Sequence, residues 1–218
     1  MKPCTMSDRT TRKQQTTRAH LVQVATTLFE QNGYDATTMD QIATVADVAR
    51  GTLYNHFAHK DAIVVYWVDA QLAQGIPQLL KGVLSLPSFP QRLACVFEAS
   101  AQWWQAHPAY VAPYLRYRFQ QVQSGDSAAA SDMLAVYEHL IADAQHSHEI
   151  TAETPAPQLA RYLHFLYLGA LMHSLAHHEK TLAQELAQVA AFFLAGCQAP
   201  AGTPTPHKRA RHSTKTKA

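Results

Sequence analysis

Between Thr38 and Lys60 stand side chains suited to hydrogen bonding with a duplex nucleic acid rather than to covalent chemistry. Arg50 offers the paired N–H donors that match guanine O6 and N7, and Asn55 matches the edge of adenine or a phosphate. Thr52 suits a thymine methyl or a phosphate. Thr38, Tyr54, His56 and Lys60 supply donors that grip a sugar-phosphate backbone and so position a protein without reading sequence. The same types have plainer uses: Tyr54 as partial core, His56 as a cap or packing group, Arg50 as a solvated charge.

These groups act together only if local elements present them on one surface. Ile42, Ala46, Val48 and Leu53 are spaced to lock two short helices at a steep angle, the second over about Arg50 to Phe57. At about 100° per residue, Gly51, Thr52 and Asn55 fall opposite Leu53 and Phe57, with Tyr54 on a flank. Arg50 lies nearer the inner side, but in the first turn it is long enough to swing outward. Thr38-x-x-Gln41 is a capping box for the preceding helix, and Asp47 in the turn tolerates left-handed backbone angles. Upstream, Leu21, Ala25, Leu28 and Phe29 make one apolar stripe on a helix over about Arg12 to Gln31, stopped by Gly33. Arg12, Lys13 and Arg18 either reach neighbouring phosphates or form a solvated arm.

Leu28-Phe29, Gly33, Thr38, Ile42-Ala43, Val48, Gly51-Thr52, Tyr54, His56-Phe57 and Lys60 together resemble the signature of the TetR family of regulators, over about 50 residues from near Arg12 to Ile63. Two positions depart from it: Asp47 stands where Gly is usual, and Ala49 where Ser is frequent. Losing that hydroxyl costs about 1 kcal/mol of helix stability unless another group caps the helix. The resemblance implies a homodimer with two all-helical domains per subunit, the second carrying the dimer contacts and an effector pocket.

The rest of the chain reads as helices near 60–74, 88–106, 109–123, 128–147, 156–178 and 182–197, with Gly75 and Pro77 bending or stopping the first and Thr181-x-x-Gln184 capping the last. Phosphate loop, nucleophile elbow and HExxH motifs are all missing from it. Aromatic groups concentrate there, and Phe97, Trp103, Trp104, His107, Tyr110, Tyr114 and Tyr137 either line an effector cavity or fill the core. His173 and His177 have the i, i+4 spacing of a zinc pair but lack a third fixed ligand, so no metal site is expected. Leu163, Leu166, Tyr167, Ala170, Leu171, Val189, Phe192 and Phe193 exceed what one small domain needs to cover, which suits a four-helix dimer interface or packing against the long helices.

Composition bounds these expectations. Few glycines (8 in 218 residues) and abundant Ala, Leu and Gln favour an all-α fold of about nine helices. The three cysteines are scattered, and the polar start and histidine-bearing apolar run suggest neither a signal peptide nor a membrane span. Residues 1–60 carry seven Lys/Arg against five acids, 61–198 six against eleven, and 199–218 five against none. A basic head on an acidic body suits a protein that turns one end to a polyanion.

The expected organisation is a helix-turn-helix DNA-binding domain over 11–74, an effector-binding and dimerisation domain over 75–198, and a basic, disordered tail over 199–218. The expected function is a cytoplasmic, ligand-responsive repressor that binds a near-palindromic double-stranded operator as a homodimer and is released by a small-molecule effector. No cofactor and no membrane partner are expected. An activator or effector-insensitive regulator is the nearest alternative, and a small helical enzyme the distant one.

Overall fold

The computed structural model describes residues 6–124, 132–177 and 179–197. Among them are nine α-helices and one 3-10 turn, with no strand. The helices are α1 (Met6–Asn32), α2 (Met39–Val45), α3 (Arg50–His56), α4 (Lys60–Val83), α5 (Phe89–Ala106), α6 (Val111–Ser124), α7 (Asp132–His146), α8 (Ala156–Ala176) and α9 (Leu182–Gly196). The 3-10 turn, Pro108–Tyr110, precedes α6 directly. The basic tail lies outside the described residues.

Local signals in the sequence act as expected around α2 and α3. Gly33 adopts φ +86° and its N–H donates to Phe29 O at 2.9 Å, ending α1. Thr37, buried in the following loop, donates its hydroxyl to the carbonyls of Leu28 and Gly33. Thr38 and Gln41 form the capping box in both directions. Asp47 takes φ +52° between α2 and α3, and Val48 N–H closes the turn onto Ala43 O at 3.0 Å. Ala49, at the N-cap of α3, makes no side-chain cap.

Leu21, Ala25, Phe29, Ile42, Leu53, Phe57 and Ile63 meet in the core under α1 to α3. Leu53 and Phe57, each stabilising by about 1.5–3 kcal/mol through burial, hold α3 with its opposite side outward. The remaining helices bury Leu93, Phe97, Leu140, Ile141, Leu163, Leu171 and Leu186.

Three boundaries differ from expectation. α1 starts at Met6, a turn and a half before Arg12. α4 runs through Gly75 and Pro77 to Val83 rather than stopping near Gln74. Proline removes one N–H bond, but Pro77 faces solvent while Leu72, Ile76, Leu79 and Val83 pack on the core and carry the helix past it. A domain boundary at 74/75 therefore falls inside one continuous helix. The segment expected over 109–123 begins as a 3-10 turn because Pro108 tightens the chain after α5.

Candidate nucleic-acid interface and cavity

α3 exposes Arg50, Gly51, Tyr54 and Asn55, leaves Thr52 and His56 half-buried, and seals Leu53 and Phe57 inside. The side chains that match base edges therefore share one outer face. Arg50 Nε lies 3.0 Å from Asp40 Oδ1 of α2, with both side chains largely open to water, and its guanidinium lies against the Tyr54 ring at 5.4 Å. Tyr54 is thus a flank that supports Arg50.

The groups expected to hold phosphates divide. Thr38 is exposed at the start of α2, where its hydroxyl also serves the capping box. Lys60 is half-buried; its ammonium donates to the carbonyls of Tyr34 at 2.7 Å and Asp35 at 3.3 Å and lies over the Tyr34 ring. It ties the α1–α2 loop to α4. Arg18 packs between the rings of Phe57 and Tyr66 and donates to His56 O at 3.4 Å, so it clamps α1 to the end of α3 instead of reaching outward. Arg12 and Lys13 are exposed.

Behind this surface, Asp61 in the first turn of α4 is buried and accepts two hydrogen bonds from Arg116 of α6, at 2.7 and 2.8 Å, and one from the Tyr34 hydroxyl. Burial pushes the Asp61 carboxyl up, but Arg116 and Tyr34 outweigh it and hold the group below the usual aspartate range. Burial and the Asp61 hydrogen bond push the Tyr34 phenol up. Phe29, Tyr110 and Trp67 form a second bridge, with Tyr110 centred 6.2 Å from Phe29 and 5.1 Å from Trp67.

A cavity of about 190 Å³ opens between α4, α5 and α8, with Tyr114 and Met133 from α6 and α7 in its wall. Leu72, Ile76 and Leu79 of α4 form one apolar side of it. Trp103, Trp104 and Tyr114 line it, as aromatic clustering suggested. Phe97, His107, Tyr110 and Tyr137 do not. Phe97 and Tyr137 meet edge-to-face in the core at 6.1 Å, while His107 and Tyr110 stack at the domain junction against Trp67. Helical phase does not separate Phe97 from the lining, since it shares a face of α5 with Ser100 and Trp104 at i, i+3 and i+7; its ring is instead packed against those of Tyr137 and Tyr167.

Sequence reading missed Ser100, Gln71 and Tyr167 of the lining. Tyr167 Oη accepts from Trp104 Nε1 at 2.6 Å and shares a hydrogen bond with Ser100 Oγ at 2.7 Å. Two or three residue types spread over helices 60 residues apart leave no local signal.

Next to this pair, Tyr137 is fully buried with its hydroxyl unbonded, and His164 Nδ1 is buried without a partner. Burial, followed by the Arg118 charge, drives the His164 imidazole down to about 4. The expected absence of a metal centre concerns His173 and His177, whose rings lie 4.4 Å apart with His173 3.5 Å from Glu185. No group of three possible metal ligands occurs among the described residues. Glu149 accepts from Phe89 N–H at 2.6 Å and caps α5. No helix among the described residues is long and apolar enough to cross a membrane.

Residues 21–66 match the domain described as "Bacterial regulatory proteins, tetR family". The chain is 42% identical over 55 residues to the HTH-type transcriptional regulator AcrR of Shigella flexneri, covering 25% of this chain and 26% of that one. It is 32% identical over 97 residues to the HTH-type transcriptional repressor KstR2 of Mycobacterium tuberculosis, covering 44% and 48%. The matched stretch thus spans about half, or less, of the length of these relatives. The fold as a whole is similar to Thermus thermophilus FadR, a TetR-family repressor solved with lauroyl-CoA, with TM-score 0.74 and 20% identity over 87% of this chain and 98% of that one.

Proposed function

Since the chain carries the N-terminal DNA-binding domain of the tetR family of bacterial regulators, we propose that it is a ligand-responsive transcriptional repressor acting as a homodimer on a near-palindromic operator. The observation that carries this is the outer face of α3, where Arg50 and Asn55 stand exposed above a sealed Leu53–Phe57 anchor. Such a helix enters a major groove, and a two-fold dimer sets its two copies one duplex turn apart, about 34–36 Å.

Dimer formation is supported by an apolar surface on α8 and α9. Tyr162, Phe165, Met172, Leu175 and Phe192 are all exposed there, Phe192 by 71%, and a contiguous patch of this kind on a soluble protein marks an interaction face. Pairing α8 and α9 with the same helices of a second subunit buries it in an isologous contact.

Release by an effector is supported by the continuity of α4. Val68, Leu72, Ile76 and Leu79 wall the cavity, while Asp61 and Lys60 at the other end of the same helix follow α3 directly and hold Tyr34 and Arg116. A molecule that favours a different α4 tilt shifts both recognition helices out of register, and its leverage equals its affinity difference between the two arrangements.

Selection of bound duplexes from a random pool, followed by titration of the recovered sequence, tests the proposal. A two-fold symmetric site bound with strong salt dependence is expected. An asymmetric or sequence-indifferent preference refutes it.

A further inference from the structure

The cavity's described lining is Val68, Leu72, Ile76, Leu79 and similar apolar groups, with Gln71, Ser100, Trp104, Tyr114 and Tyr167 supplying its polar atoms. None of these described lining residues carries a charge. An ionised ligand buried among them would lose its hydration without compensation, a cost of several kcal/mol or more. The volume, about 190 Å³, slightly exceeds the ~150 Å³ apolar cavity that holds benzene. It suits one ring, or a chain of similar bulk, with a short substituent.

The polar corner of the cavity is more specific. Tyr167 Oη already accepts from Trp104 Nε1, so that indole donor is occupied. Ser100 and Tyr167 bring two hydroxyl protons, and their mutual 2.7 Å bond uses one. If Tyr167 donates to Ser100, the Ser100 proton is left; if Ser100 donates, the Tyr167 proton is left. Either arrangement presents one hydroxyl donor with no acceptor assigned to it. Burial keeps the Tyr167 phenol protonated, so that proton persists at neutral pH.

We propose that the cavity takes an uncharged, largely apolar molecule bearing one hydrogen-bond acceptor, a carbonyl or hydroxyl oxygen, held by the Ser100–Tyr167 hydroxyl pair. The assignment rests on the ligand-responsive function above and names the class of its effector. Ser100 and Tyr167 select the acceptor, and Trp104 fixes Tyr167 in place.

Three probes of matched shape test it on the full chain: propiophenone, propylbenzene and hydrocinnamate. Trp103 and Trp104 line the cavity, so intrinsic fluorescence reports binding without DNA. Propiophenone should bind about tenfold tighter than propylbenzene, the effect of one buried hydrogen bond, and hydrocinnamate should not bind measurably. Replacing Ser100→Ala, Trp104→Phe and Tyr167→Phe together removes every donor of the corner, including the indole freed when Tyr167 goes. The ketone preference should then fall at least about threefold while propylbenzene still binds.

If that variant does not fold, the infrared carbonyl stretch of propiophenone bound to the unmodified protein decides: a frequency below that in hexane supports the assignment. Equal affinity for ketone and hydrocarbon, tighter binding of the carboxylate, a free carbonyl frequency or no binding of any probe overturns it. A probe that binds as expected but leaves operator affinity unchanged keeps the cavity assignment and removes the ligand-responsive function.

Discussion

Arg50, proposed to read a base edge, is held only weakly in the free protein. Its pair with Asp40 at 3.0 Å is exposed on both sides, and exposed pairs contribute only about 0–1 kcal/mol. Exchanging Asp40 for a guanine edge therefore costs little. Arg50→Ala and Asn55→Ala should each cost about 1–3 kcal/mol per half-site and relax base preference, with melting temperature nearly unchanged; titration against matched and mismatched operators reads both effects. An unaltered affinity for Arg50→Ala would remove it from the interface. Lys60 differs, because its ammonium already holds the carbonyls of Tyr34 and Asp35. Its loss should lower stability as well as weaken all duplexes alike.

His164 gives a pH prediction with a definite sign. Its folded-state imidazole is driven down to about 4 by burial, whereas the unfolded chain takes up the proton near the ordinary histidine value of about 6.5. The unfolded state thus binds more protons across that interval. Stability from this group is complete above about pH 6.5 and declines as pH falls towards about 4, by no more than about 3 kcal/mol. Urea unfolding of His164→Gln should show a flatter profile over that window than the parent; parallel profiles would dissociate His164 from the effect.

At the scale of elements, α3 is short and its N-cap is Ala49, extended at φ −62° and ψ 142° with no side-chain cap. Serine fits that backbone. Ala49→Ser should stabilise by about 0.5–1 kcal/mol, visible as a rise in melting temperature; no rise would mean that the terminal N–H groups already have adequate partners in water. The link between α4 and α6 behaves oppositely. Arg116→Met leaves the buried Asp61 carboxylate with Tyr34 as its remaining described hydrogen-bond donor. Breaking one side of such a buried pair costs about 2–4 kcal/mol, discounted because Arg116 is itself half-exposed. The lowered Asp61 pKa adds acid sensitivity, since its contribution holds at neutral pH and is lost as pH falls below the usual aspartate range.

For the whole molecule the governing quantity is the uncovered apolar face of α8 and α9. Phe192→Glu sets a charge in the middle of it at a position 71% exposed in the single chain, so the subunit fold should survive. Under the proposed dimer, sedimentation should register a monomer for this variant and a dimer for the parent, and operator affinity should collapse, since two half-sites held independently lose the advantage of linkage. A variant that remains dimeric would move the interface elsewhere.

Much of the DNA-facing unit was written in local sequence. Gly33, the Thr38–Gln41 box, Asp47 and the Leu53–Phe57 pair each act within a few residues, so spacing alone determined α2, the turn, α3 and the exposure of Asn55. Arg50, phased nearer the inner side, is exposed because its long side chain reaches out beside Asp40. The cavity was different. Trp103, Trp104 and Tyr114 were legible as candidates, yet Phe97, His107, Tyr110 and Tyr137 were equally aromatic and equally placed on helices. Only the packing of α4, α5 and α8 decided which rings faced the space and brought Ser100 and Trp104 to Tyr167, over 60 residues away. Tertiary packing also carried α4 through Pro77, because contacts along its inner face outweighed one missing hydrogen bond. Short-range geometry is encoded where it is used, whereas a buried site depends on the relative phase and tilt of distant helices.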